Sequence, residues 1–192
     1  MNYLNKFTQL SESAVNSLYD LIRDMININT TNILEVGTYA GQATVKLCGA
    51  ANEKSQTVQV ISIDDNNDTF SPSAEDSLKA SNLHNYSIQS GDLDKKFEEN
   101  IVKANIIYID RFHEEIAAKI EVIKKNIIIP TKVIFRNPKN SSDFPFDISE
   151  HSPEIKPRAR KKNETVAPSD STIASTSAST KVITKENKKE TT

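Results

Sequence analysis

Ile33-Leu34-Glu35-Val36-Gly37-Thr38-Tyr39-Ala40-Gly41-Gln42-Ala43-Thr44 is the stretch on which the fold turns. A short apolar strand, Asn32–Val36, runs into Gly37, and a helix opens at Gly41. Glycine at the first position lets the chain swing sharply off the strand. At the second it lets the helix start come close to a ligand or a neighbouring strand. Amides at a helix start, with the positive end of the helix dipole, suit a carboxylate or phosphate. The dinucleotide fingerprint G-x-G-x-x-G is excluded, because Tyr39 stands at its second glycine. The chain has only 4 glycines. Two flank this turn, and Gly91 opens another strand-end turn.

Outward from this unit the pattern repeats. Residues 11–26 read as an amphipathic helix capped by Ser11 or Ser13, with Ala14, Val15, Leu18, Leu21, Ile22 and Met25 on one face. After the first turn come a helix to Ala51, a strand at Thr57–Ile63 and a helix at Ser73–Ser81. Then follow a strand at Tyr86–Gln89, a helix at Leu93–Val102, a strand at Asn105–Ile109, a helix at His113–Lys125 and a strand at Lys132–Phe135. Alternation of this kind predicts an α/β, Rossmann-like, doubly wound and mostly parallel sheet of about five strands. Such sheets bind ligands beyond the carboxyl ends of their strands, near the point where strand order reverses. Gly37, Asp64, Gly91 and Asp110 all fall at strand ends.

Asp64 follows Val60-Ile-Ser-Ile and precedes Asp65. A carboxylate there can accept both ribose hydroxyls, and its 23-residue separation from Gly41 suits that role. Asp92, after Gly91, reads equally as a helix cap. Ile106-Ile-Tyr-Ile delivers Asp110, with His113 three residues on. Asp110 is a hard-cation ligand by type, and His113 could take a hydroxyl proton.

The Glu-Val-Gly-Thr-Tyr-Ala-Gly run resembles the E-x-G-x-x-x-G turn of class I S-adenosylmethionine (SAM)-dependent methyltransferases. It is nearest in pattern to the catechol and caffeoyl-CoA O-methyltransferase group. The resemblance covers roughly residues 9–137 and implies SAM as cofactor. It places Glu35, Gly37, Thr38, Tyr39, Gly41 and Thr44 at the methionine end, with Glu35 ordering the loop. It places Asp64 on the ribose and Gly91 and Asp92 near the adenine. It also implies methylation of a small molecule, by expectation on oxygen, with Asp110 and His113 assisting deprotonation. In catechol-type relatives the acid matching Asp110 binds a divalent metal, completed by an Asp-Asn pair after a Pro-Gly-Gly turn. Here the matching segment is Ile129-Pro-Thr-Lys-Val-Ile-Phe-Arg136-Asn137, without the glycines and with Arg136 for the acid. No metal site is therefore expected. The family's last two strands have no counterpart expected in residues 138–150. A degenerate, non-catalytic binding protein is the competing reading.

The formal net charge is -2 over 192 residues, with a pI near 6.0. Nine basic and five acidic residues follow His151, so that segment carries +4 and the rest −6. This balance makes no global case for nucleic acid or an anionic membrane. No apolar run approaches a membrane span, and the N-terminus lacks a signal-peptide pattern. The one cysteine, Cys48, points to a reducing compartment, so a cytoplasmic location is expected. The expected division is a methyltransferase-like domain at 1–140 and a disordered polar tail at 141–192, since Ser, Thr, Lys and Pro without aromatics cannot bury a core. The basic cluster at 156–162 is expected to be a solvated face, or to contact an anionic partner.

Overall fold

The computed structural model describes residues 10–65, 73–110, 116–137 and 139–153. All of them belong to one unit, Met1–Lys156. His113 and the segment 154–192 lie outside the described residues.

The elements follow from the local chemistry of their ends. Helix α1 (Glu12–Met25) starts at Ser11, whose side chain accepts from the Ala14 amide. Strand β1 (Asn32–Val36) leads through the glycine turn into α2 (Gln42–Lys54). Strand β2 (Gln59–Asp64) precedes α3 (Ala74–Ala80), which is closed by a capping box between Ser73 and Asp76. Strand β3 (Tyr86–Ser90) precedes α4 (Leu93–Ile101), capped by Asp92. Strand β4 (Ile106–Ile109), helix α5 (Ile116–Asn126) and strand β5 (Thr131–Arg136) complete the alternation. No helix among the described residues is long and apolar enough to cross a membrane.

With a further strand β6 (Phe146–His151), the strands form one sheet in the order β3-β2-β1-β4-β5-β6, parallel from β3 to β5. The order reverses between β1 and β4. Both strands are buried along nearly their whole length, as expected where helices cover both faces. On one face Leu18 and Ile22 of α1 and Leu47 of α2 pack with Ile33, Tyr108 and Ile134. On the other, Phe97 and Ile101 of α4 and Ile123 of α5 pack with Leu34, Ile107 and Val133.

The sixth strand corrects the expected count of about five. Strand β6 (Phe146–His151) pairs antiparallel with β5, in a stretch expected to open the polar tail. Its sequence, Phe-Asp-Ile-Ser-Glu-His, carries only two apolar side chains. Phe146 is buried and meets the Tyr108 ring edge-on at 6.0 Å between centroids, whereas Ile148 is partly exposed. An edge strand with one solvated face needs no more than this, and it leaves only a faint alternation in the sequence.

Candidate functional site

Strand alternation puts a row of polar side chains on the α2 face of the sheet at the reversal point. Ser62, Glu35 and Tyr108 are lateral neighbours across β2, β1 and β4. Two residues further along the same face lie Asp64 and Asp110, at the carboxyl ends of β2 and β4. Arg136 closes the row from β5.

The turn between β1 and α2 holds three successive left-handed features: Gly37 at φ 103, Tyr39 at φ 47 and Gly41 at φ 79. Tyrosine is uncommon in that region, and such conformations persist where the surroundings fix them. The surroundings here are specific. The Gly37 amide donates to the Ile63 carbonyl at 2.9 Å, and the Gly41 amide to Thr38 at 2.8 Å. The Tyr39 amide donates to Asp64 Oδ2 at 3.0 Å. These three amides thus brace the turn within itself and against β2. Gly41 is required by packing. A Cβ there would stand 2.8 Å from Ala74 Cα, at the start of α3.

Glu35 lies beneath this turn and is fully buried. Its Oε2 accepts from Thr44 Oγ1 at 2.6 Å and from Ser62 Oγ. A hydroxyl has one proton, so Ser62, having given its own to Glu35, accepts from Thr38 Oγ1 at 2.6 Å. Glu35 Oε1 has no hydrogen-bond partner. Burial pushes the Glu35 carboxyl up to about 8, against the pull of the Ser62 and Thr44 hydrogen bonds, and Asp110 and Asp64 push the same way. Thr44 therefore holds Glu35 from a fully buried position.

At the end of β4, Asp110 is nearly buried and its Oδ1 accepts from Arg136 Nη1 at 3.3 Å. Its amide donates to the Val36 carbonyl at 3.0 Å, so β4 presents it beside the glycine turn. Asn137 does not face Asp110. Its Nδ2 donates to Asp147 Oδ2 at 2.6 Å, and its Oδ1 accepts from the Lys139 amide at 3.0 Å, so it secures the β5–β6 connection. No group of three or more metal-ligating side chains occurs among the described residues. Gly91, at φ 124, donates from its amide to the Asp64 carbonyl at 3.2 Å, which sets that turn beside β2. The Asp92 side chain accepts from the Lys95 amide at 3.1 Å and caps α4.

The structure thus gathers Glu35, Gly37, Thr38, Tyr39, Gly41, Thr44, Asp64 and Asp110 at the carboxyl ends of β1, β2 and β4, with Gly91 beside β2. Sequence reasoning missed Ser62 and Tyr108. Each is a hydroxyl inside an otherwise apolar strand, Val-Ile-Ser-Ile and Ile-Ile-Tyr-Ile, and that interruption was the available signal.

No protein-family model and no curated protein matches the chain. Solved structures do. The O-methyltransferase TomG of Streptomyces achromogenes, solved with SAM, matches with a TM-score of 0.55 at 16% identity, over 70% of this chain and 64% of that one. A caffeoyl-CoA O-methyltransferase-type protein of Staphylococcus aureus matches at 0.52 and 22% identity, over 69% and 60%. An RNA methyltransferase of Salinibacter ruber, solved with S-adenosylhomocysteine, matches at 0.56 and 16% identity, over 79% and 98%. The chain has the class I methyltransferase fold. It spans less than two thirds of the length of the two O-methyltransferases, and its match takes in nearly all of the RNA methyltransferase.

Proposed function

We propose that this chain binds S-adenosylmethionine at the β1–α2 turn and acts as a methyltransferase on a small molecule, by O-methylation. The observation that carries the reading is the left-handed Gly37–Gly41 turn, set at the strand-order reversal above a buried acid whose Oε1 lacks a partner. A buried acceptor left without a donor fits a ligand that brings one, and the ammonium end of SAM is such a donor. The start of α2 supports the same reading. Helices α1, α3 and α4 each have a side-chain cap, whereas α2 has none, which suits a site where ligand atoms approach the first turn.

Glu35, Thr38, Tyr39 and Gly37 would hold the methionine end, with Thr44 and Ser62 fixing Glu35. Asp64, braced by the Tyr39 amide, would take the ribose hydroxyls, and Gly91 would leave room at the adenine. When bound, the cofactor supplies an electrophilic methyl group. The protein's share of catalysis is then mainly orientation and exclusion of water. His113 is the proposed proton acceptor, with Asp110 positioned by Arg136. A net charge of −6 on the first 150 residues favours a small substrate over a polyanion. Calorimetry tests the cofactor reading: heat with SAM and S-adenosylhomocysteine but not with NAD or ATP supports it, and the reverse order defeats it.

A second reading, a non-catalytic SAM-binding protein, has one observation in its favour. Asp110 is already neutralised by Arg136. Screening with radiolabelled SAM and small phenols, carboxylates and RNA separates the two readings and reports the substrate class.

A further inference from the structure

Glu35 Oε1 and Tyr108 Oη are buried without hydrogen-bond partners, and their residues are Cα neighbours across β1 and β4 on one face of the sheet. The other such atom among the described residues, Asn85 Oδ1, lies just before β3, at the amino end of that strand. Glu35 is therefore half-satisfied, with two hydroxyls on Oε2 and none on Oε1. A buried carboxylate in that condition is costly as an anion and much less so with a proton on the bare oxygen.

The charges facing it sharpen the point. Asp64 comes from β2 and Asp110 from β4, both on the same face as Glu35. Arg136 of β5 is engaged with Asp110. The Tyr108 hydroxyl, next along the row, is held neutral by burial, and so is the Cys48 thiol of α2. Among the described residues, Glu35, Asp64 and Asp110 thus stand together at the carboxyl ends of β1, β2 and β4, with the Arg136 guanidinium beside Asp110. Asp110 and Asp64 both disfavour a negative charge on Glu35, and either a proton or an incoming cation relieves that.

We propose that Glu35 carries a proton in the ligand-free protein and releases it to solvent when a cationic ligand, an ammonium or sulfonium compound, settles on the Gly37–Gly41 turn. The ligand's charge replaces the proton, so binding and deprotonation are one event. This rests on the methyltransferase reading and adds to it a proton linkage. The upward displacement of the Glu35 carboxyl to about 8 agrees with the geometry, and a nearby cation would draw it down again.

The test is isothermal titration calorimetry of the full chain with SAM, in buffers of different ionisation enthalpy. At about pH 6.5 the expected release approaches one proton per ligand, fading by about pH 9, and affinity rises by nearly tenfold per pH unit between about 6 and 7.5. Glu35→Gln should abolish the release. Thr44→Val deletes one donor to the carboxylate, so it should move the fading point to higher pH. Binding without proton release at pH 6.5 overturns the inference while leaving the proposed function standing. So does release that persists in Glu35→Gln. If Glu35→Gln fails to fold, an unmoved fading point in Thr44→Val overturns it instead. Absence of binding at every pH defeats the proposed function itself.

Discussion

The two sides of the strand-order reversal are built from similar residue types and behave differently. On the β1–β2 side, Glu35 has an oxygen without a donor, the turn holds left-handed backbone and the α2 start has no side-chain cap. On the β4–β5 side the groups answer one another: Asp110 is paired with Arg136, and Asn137 is taken by Asp147 and the Lys139 amide. Native structures seldom leave buried polar groups unpaired, so under the proposed function a ligand would complete the under-satisfied flank. The self-satisfied flank holds Asp110 in place through Arg136. On the proposed reading the first flank is the one that would take the cofactor, and the second is held by its own pairs.

Its most disruptive test is on the supporting flank. Arg136→Ala leaves the Asp110 carboxylate nearly buried without its guanidinium. Breaking a buried pair from one side costs on the order of 3–5 kcal/mol. The urea midpoint should fall accordingly. The double variant Arg136→Met with Asp110→Asn removes both charges and should recover much of the loss. A midpoint unmoved by Arg136→Ala would show that the flank is not held by this pair.

On the binding flank, Gly37→Val should cost SAM affinity about 100-fold or more, roughly 3 kcal/mol, while the fold is largely retained. A β-branched residue at φ 103 is strained, and the turn must shift to relieve it. Undiminished binding would remove the turn from the site. A smaller effect is expected from Asp64→Ala, a loss of about 1–3 kcal/mol in SAM binding as charged hydrogen bonds disappear. Asp65→Ala should do less, because Asp64 is the acid that receives the Tyr39 amide. Equal losses would mean that the brace does not select the ligand-facing carboxylate.

The binding flank was legible in the sequence because its logic is local. Two glycines, a strand before them and a helix after them lie within one short stretch, and an acid at the next strand end follows from the same repeat. What was hidden depends on contacts between distant segments. Ser62 matters because β2 lies beside β1 and sets it against Glu35. Tyr108 matters because β4 takes the other side. Asn137 looked like a retained ligand by position, but Asp147 claims it from a strand too polar to be anticipated. Asp92 shows the reverse case, a residue whose role as a cap was open to reading from its helix alone.

The smallest expected effect is that of removing metal, and it bears on the supporting flank most directly. A magnesium ion needs near-octahedral oxygen ligation and usually takes one or two carboxylates with several waters. Asp110 supplies one carboxylate. The position where the catechol-type pattern places the second is Arg136, whose guanidinium cannot ligate a cation and stays charged at any working pH. It sits 3.3 Å from Asp110 Oδ1, where it already supplies the positive charge a metal would bring. Asn137, the remaining candidate, is turned to Asp147. A cation would have to displace a guanidinium from a nearly buried carboxylate and recover Asn137 from two hydrogen bonds. SAM affinity, and any methyl transfer, should therefore be unchanged by EDTA and by added magnesium. Activity lost with EDTA and restored by magnesium would overturn this reading, as would anomalous density for manganese beside Asp110. Either result would show that the Arg136 pair opens in the working protein, and the distinction between the two flanks would fail with it.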